Sequence, residues 1–383
     1  MKSVLLEIGR DELYQALQHV LKAVSHHAMP ILSGIHIDAT NKGLIFTASD
    51  LSLSIKYTVF AGGGERMCSI QQTGSMIVPA TYFYEIIRKL DSGKIVLQVI
   101  EKATLFISAN KAHFRLSGVK SSEQFPLLQH TESSQKIRFS ISNKALIMAI
   151  RQMLTATSDA VTRPLLTGVL FEYRDNFLAF TATDSIILST ATANVYMETK
   201  QNVNKRVVVP RKSLNELLKV VRATEDVTEI EINSNNIKFI TTQIQLHSVL
   251  LQGEYPFIQN LIPKTLESEV ILRTSNLLQS TQRASVLASE NTIHISVMDK
   301  KVGLHSKISE VGDMKDELSV LEKTGGDFQV SLNSKFLTEI LRNFGTENTK
   351  LQYSGHLKPI IFRPVDSLIN TLYLLPPIRT STI

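Results

Sequence analysis

The chain has 383 residues, 43% of them hydrophobic and 20% charged, which describes an ordinary globular protein long enough for two or three domains with cores of their own. No apolar run is long enough to span a membrane, the opening MKSVLLEIGRDEL meets charge too early for a signal-peptide core, and the single cysteine, Cys68, excludes an intrachain disulfide or a thiolate metal site. A cytoplasmic address is expected, and 41 Lys+Arg against 35 Asp+Glu leave a formal charge of +6, which admits a nucleic-acid partner without requiring one.

In chain order, SVLLEI alternates like a short strand and leads into a stripe of Leu13, Leu17, Val20, Leu21 and Val24, one face of a helix. Asp11 stands where an N-cap or first-turn acid favours the helix dipole. PILSGIHIDATNKGLIFTASD then predicts strands ending at Asp50, and a second helix carries Phe83, Ile86, Ile87 and Leu90. KIVLQV, LFISA and FRLSGV close the unit as strands of an antiparallel sheet with one buried face.

The pattern then starts again. KIRFSI leads to Leu146, Ile150, Met153 and Leu154; PLLTGVLFEYRDNFLAFTATD ends at Asp184; VVPRKSLNELLKVV supplies a helix with Leu214, Leu217, Leu218 and Val221. Pro30, Gly34 and Asp50 recur 134 positions later as Pro164, Gly168 and Asp184, a single offset for three landmarks. A third unit opens at EVILRT and holds VSLNSKFLTEILRNF, with Phe336, Leu337, Ile340, Leu341 and Phe344 on one face. A period of about 130 residues is a whole domain, not a solenoid repeat. The expected architecture is α+β, three tandem domains of two helices packed on antiparallel sheets, over 1–128, 136–263 and 268–383. Polar linkers are expected near Gln129–Gln135 and Lys264–Ser268.

The helix faces opposite those stripes are rich in Gln, Lys, Arg, Asn and His. Arg10, Lys22, Arg88, Lys144, Arg151, Lys212, Arg222, Arg283, Lys335 and Arg342 contribute cations, with Glu12, Glu85, Glu216 and Glu339 the visible acids. On one helix this is a solvated surface. Shared by six, it becomes a wall that attracts phosphate without reading bases.

Catalytic signatures are missing. There is no Walker lysine loop, no GxGxxG after a strand and no HExxH; Gly62-Gly63-Gly64 reads as a loop tip, and the His26-His27 pair diverges on any helix end. Asp50 and Asp184, at strand ends, read as turn formers whose carboxylates bind neighbouring backbone. An enzyme is not expected, and neither is a cofactor or metal.

The pieces KAVSHHAMPILSGI, RPLLTGVLFE, TATDS, VVVPRKSLNELLK, GEYPFIQNLIP, RASVLA and LLPPIR, in this order and spacing, make the whole chain resemble the beta-subunit sliding clamps of bacterial DNA polymerase III. The resemblance implies a processivity factor: a head-to-tail homodimeric ring around duplex DNA that tethers the polymerase III catalytic subunit, the clamp loader and repair factors through short peptide motifs. It implies a partner groove walled by Leu166, Thr183, Ser185, Ile186, Ile187, Leu188, Pro210, Leu214, Leu374, Leu375, Pro376, Pro377, Ile378 and Arg379. It further implies DNA contacts at Lys22, His26, Arg151 and Arg163, and a dimer interface of Phe114 and Leu116 against Val286 and Leu287. The chain departs from the family in having Ile186-Ile187 where His-Arg is usual, in a net positive charge, and in the added Ser381-Thr382-Ile383. These departures suggest a divergent or second-copy clamp. The alternative is a clamp-derived interaction or regulatory protein with altered partners.

Overall fold

The helical stripes of the sequence become buried helix faces. The computed structural model describes residues 5–25, 29–62, 68–100, 103–119, 125–126, 136–174, 176–197, 204–223 and 226–379; His26, His27, Gly63, Gly64 and the Gln129–Gln135 linker lie outside the described residues. In the first repeat β1 (Leu5–Gly9) runs straight into α1 (Arg10–Val20). Next come β2 (Gly34–Thr40), β3 (Gly43–Ser49), β4 (Leu53–Phe60), β5 (Cys68–Gln72), β6 (Gly74–Pro79), α2 (Ala80–Lys89), β7 (Lys94–Ile100), β8 (Thr104–Ala109) and β9 (Ala112–Ser117). The second repeat has β10 (Ile137–Ser142), α3 (Asn143–Leu154), β11 (Gly168–Arg174), β12 (Phe177–Thr183), β13 (Leu188–Asn194), β14 (Lys205–Pro210), α4 (Arg211–Val220), β15 (Val227–Ile232), β16 (Asn236–Ile240) and β17 (Ile244–Val249). The third has β18 (Ser268–Arg273), α5 (Thr274–Val286), β19 (Thr292–Met298), β20 (Lys301–Ile308), β21 (Gly312–Ser319), β22 (Glu322–Gly325), β23 (Phe328–Asn333), α6 (Ser334–Arg342), β24 (Asn348–Tyr353), β25 (Ile360–Pro364) and β26 (Asn370–Leu375). One order of strand, helix, strands, helix and strands is thus written three times, giving an α+β fold of three tandem domains.

Leu13, Leu17 and Val20 of α1, Phe83 and Ile87 of α2, Leu146, Ile150 and Met153 of α3 and Leu337, Ile340 and Leu341 of α6 are buried, each contributing about 1.5–3 kcal/mol of apolar burial. Asp11 is a first-turn acid of α1, whose N-cap is Gly9. At α6 the Asn333 side chain caps instead, accepting from the N–H groups of Lys335 and Phe336. The α5 stripe is fainter because its buried face uses Leu277 with the small residues Ser280, Thr281 and Ala284.

The sheets ignore the repeat boundaries. An eight-stranded sheet runs β10-β15-β16-β17-β4-β3-β2-β6, and a nine-stranded one runs β14-β11-β12-β13-β26-β25-β24-β18-β22. The junctions are antiparallel ladders: β17 on β4, with Leu246 opposite Ile55, and β13 on β26, with Leu188 opposite Leu374. By packing, the three repeats fall into two compact units. One is Met1–Ser140 with Asn215–Arg222 and Val227–Leu250; the other is Ile141–Leu214 with Ala223–Asp226 and Leu251–Ile383. A five-stranded sheet, β5-β1-β7-β8-β9, and a four-stranded one, β21-β20-β19-β23, complete the fold. β9, β21 and β23 are edge strands of these sheets.

Candidate functional site

Between β12 and β13 the chain reverses over Thr183–Leu188. Asp184 Oδ1 accepts the N–H groups of Ile186 and Ile187, each at 2.8 Å. Thr183 Oγ1 donates to Ile187 O at 2.7 Å and accepts from Ser185 N at 3.1 Å. Ser185 takes a left-handed φ of 80°. The first repeat builds the same turn: Asp50 Oδ1 accepts from Ser52 N at 2.9 Å and Leu53 N at 2.7 Å, with Leu51 at φ 72°. Both aspartates therefore serve as turn formers. The turn sends the two isoleucines opposite ways: Ile186 is 57% exposed and Ile187 fully buried. Only Ile186 can face a partner.

Below this turn lie two apolar clusters in the same unit. Leu166, Leu170, Val208 and Tyr255 form one, with Leu165 and Leu251 packed against it. Leu188, Ile258, Ile361, Leu372 and Leu374 form the other, with Ile262 against it. Tyr255 ties the turn to this floor, its hydroxyl oxygen accepting from Thr183 N at 3.1 Å. Burial pushes the phenol up to about 12 although the Thr183 bond pulls it down, so it stays neutral. Leu375 is buried, and Leu214 lies fully buried on α4, offering a partner no surface; Pro210 is half-buried at the end of β14, opposite Gly168.

After β26 the segment Pro376, Pro377 and Ile378 is half-buried and Arg379 exposed. Ile378 N donates to Ser331 O at 2.8 Å, which fastens the segment to the edge strand β23. Beside it opens a cavity of about 250 Å³ lined by Gln329, Val330, Ser331, Tyr353, Gly355, His356, Leu357, Lys358, Pro377, Ile378 and Arg379. Tyr353 is held rigid by stacking on Phe328, with ring centroids 4.5 Å apart and planes 5° apart. Of these lining residues only the last three were expected from the sequence. Tyr255, Ile258 and Ile262 were missed as well, although GEYPFIQNLIP advertises them by packing aromatic and aliphatic residues between prolines.

Arg163 belongs to the same neighbourhood. Its exposed guanidinium donates from Nη1 to Ser185 Oγ at 2.6 Å, so it stands at the turn, on the loop before β11. Arg151 is exposed near the end of α3 and has no ion-pair partner among the described residues. Lys22 follows α1 and is half-buried. Burial pulls its ammonium below the ordinary range; nearby Glu216 opposes this, and Lys219 adds to it. His26 lies outside the described residues. Across the six helices the exposed charged residues are Arg88, Lys89, Lys144, Arg151, Lys212, Lys219, Arg283, Lys335 and Arg342 against Asp11 alone. Arg88, Lys219 and Arg283 are paired with Glu85, Glu216 and Asp316.

Phe114 and Leu116 are half-buried on β9, within the first unit. In the second unit, Val286 ends α5 and is 74% exposed, and Leu287 beside it is half-buried. Among the described residues no group of three or more His, Cys, Asp or Glu is placed to hold a metal, and no helix is long and apolar enough to cross a membrane.

Family models for the DNA polymerase III beta subunit match along the chain: the N-terminal domain over residues 4–129, the central domain over 140–257 and the C-terminal domain over 259–376. The beta sliding clamp of Staphylococcus epidermidis is 34% identical over 378 residues, spanning 97% of this chain and 98% of that protein. That of Staphylococcus aureus is 34% identical over 379 residues with the same coverage of 97% and 98%. Among solved structures, the DNA polymerase sliding clamp of Bacillus subtilis superposes with a TM-score of 0.90 at 30% identity, over 98% of this chain and 99% of that one. The DNA polymerase III beta chain of Streptococcus pneumoniae gives 0.88 at 28% identity, over 98% and 100%. With all three domain models matched in order and relatives aligned end to end, the chain belongs to the DNA polymerase III beta subunit family, the bacterial DNA sliding clamps.

Proposed function

We propose that two copies of this chain close head to tail into a ring around duplex DNA. In this reading Phe114 and Leu116 of one copy meet Val286 and Leu287 of the other. The observation that carries it is the charge of the helices: their exposed charged residues are cations apart from Asp11. A wall of that kind holds phosphates of any sequence by counterion release and does not read bases. Lys22, Arg151 and Arg163 are the described side chains we assign to DNA, and we assign His26, outside the described residues, to it as well. The three domains we assign are 1–128, 136–263 and 268–383.

The groove around Thr183–Leu188 and Leu374–Arg379 then takes short peptides of the polymerase III catalytic subunit, the clamp loader and repair factors. Its apolar clusters seat the peptide anchors, and enclosure raises the local concentration of whatever is tethered. The protein works without catalysis or cofactor of its own, in the cytoplasm with the nucleoid. Primer extension with the replicative polymerase and loader of its own cell tests this. The products should lengthen when the chain is added and shorten again with Ile186→Asp, while unchanged product length would contradict the tethering. A second reading, a clamp-derived regulator with other partners, is favoured by the exposed Ile186 at the turn. It predicts DNA enclosure without lengthened products.

A further inference from the structure

The solvent face of the four-stranded sheet β21-β20-β19-β23 carries a pair of histidines. His294 on β19 lies directly opposite His305 on β20 in the antiparallel register. Their rings stack with centroids 6.0 Å apart and planes 29° apart. Alternation along the strands sets them outward: Ile293, Ile295, Val302 and Leu304 are buried, while both histidines are half-buried. Each has one ring nitrogen near an oxygen. His294 Nδ1 lies 2.8 Å from Ser331 Oγ, on a serine that is 2% exposed, and His305 Nε2 lies 3.9 Å from Asp313 Oδ2. An imidazole held at one nitrogen is oriented to offer the lone pair of the other to a metal. The pair lines a cavity of about 590 Å³ together with Ser296, Met298, Lys307 and Gln329. Gly303 stands opposite Ser296, where a Cβ would meet Ser296 Oγ at 2.7 Å, so its lack of a side chain keeps the space beside His305 open.

We propose that His294 and His305 chelate a divalent first-row transition cation, His294 through Nε2 and His305 through Nδ1, with water completing the shell. A metal–nitrogen bond of about 2.0–2.1 Å plus the ring radius spaces two ligating imidazole centres up to about 6 Å apart. A small swing of the two rings therefore closes them on one ion. Imidazole suits Cu²⁺, Ni²⁺ and Zn²⁺, whereas Mg²⁺ and Ca²⁺ take oxygen ligands. Lys307, opposite Asp313, and Lys315, opposite His305, are both exposed, and their flexible stems carry the ammonium groups away from the ion. Two protein ligands are fewer than a closed structural site has, so the ion exchanges with solvent. The ladder that sets the histidines opposite each other exists only in the folded chain, so binding favours that state.

Isothermal titration of the untagged full chain with CuCl2, NiCl2 and ZnCl2 tests it, at about pH 7.5, where ordinary imidazole is mostly neutral. One ion should bind per chain, tightest for copper, and MgCl2 should give no saturable heat. His294→Gln and His305→Gln should each weaken binding about a hundredfold, because the second imidazole then no longer adds its contact intramolecularly. Ser331→Ala should weaken it about tenfold by freeing the His294 ring, while His113→Ala, at an exposed histidine on β9, should leave it unchanged. Substoichiometric Ni²⁺ should broaden the imidazole NMR signals of His294 and His305 before those of other histidines. Saturating metal should raise the Tm of the parent but not of the His294→Gln, His305→Gln double variant, with circular dichroism checking each fold. Absence of saturable binding overturns the site. Binding that survives in the double variant, or broadening that begins at other histidines, overturns the assignment to this pair.

Discussion

Asp184 shows how a single side chain shapes the site without touching a partner. Its carboxylate fixes two backbone N–H groups, and that turn decides which isoleucine faces outward. Replacing Asp184 with Ala should cost about 1–2 kcal/mol in urea denaturation, as losing a capping acceptor does, and Asp184→Asn much less because its oxygen still accepts. His19 makes a second residue-scale prediction. It stacks on Tyr57 at 5.4 Å, its Nδ1 is buried without a partner, and burial, then Lys22, then Arg222 lower its pKa from 6.5 to about 4. A depressed histidine binds its proton more readily when unfolded. Its contribution is therefore complete above pH 6.5 and is lost as the pH falls toward 4. Imidazole titration by NMR should show a midpoint near 4, and His19→Gln should remove that part of the acid-side loss of stability. The turn-forming aspartates were legible in the sequence because their chemistry is local. The placement of Arg163 was not, since a contact with Ser185 across the fold sets it.

At the scale of elements, helices with strong apolar periodicity were legible and the junctions between repeats were not. No local pattern says that β17 will pair with β4 or β13 with β26, because a strand's apolar pattern marks its buried face and not its partner. The first of these two joints lies in a sheet that also carries a charge network. Glu231 on β15 is 6% exposed; it meets Lys136 at 2.8 Å, Arg138 at 3.8 Å and Lys238 at 3.9 Å. Its burial pushes the pKa up, but the Lys136 bond and the charges of Lys238 and Arg138 outweigh that, leaving it below 4.5. Lys238 is itself pulled down by burial, against the pull of Glu231, which raises it. A depressed carboxylate stabilises above its unfolded pKa, near 4.5, and loses that contribution as the pH falls through the folded value. Glu231→Gln should therefore cost about 2 kcal/mol at neutral pH, and the difference from the parent should close in acid. A constant gap across the range would assign the loss to packing.

At the scale of the whole molecule, the second copy was legible from three landmarks at one offset and the third from the apolar stripe of its helix at Phe336–Phe344. The proposed groove was half legible: its exposed turn and terminal segment lie on recognisable motifs. The floor around Tyr255 and Ile258 and the cavity around Tyr353 and Lys358 come from chain segments brought together only by folding. Val286, 74% exposed, can be changed with little effect on folding. Val286→Asp should shift sedimentation from dimer to monomer, and an unchanged dimer would move the interface elsewhere. Arg151→Ala should weaken DNA binding uniformly across sequences and reduce its salt dependence by about one phosphate contact.

Enclosure can be told from surface binding by giving the protein free DNA ends. The protein is loaded on a nicked circular plasmid, half of the sample is linearised, and both are washed in high salt before the bound protein is counted. A ring should stay on the circle and run off the ends of the linear form. Equal stripping from both would contradict it, because the chain would then hold DNA by surface charge alone.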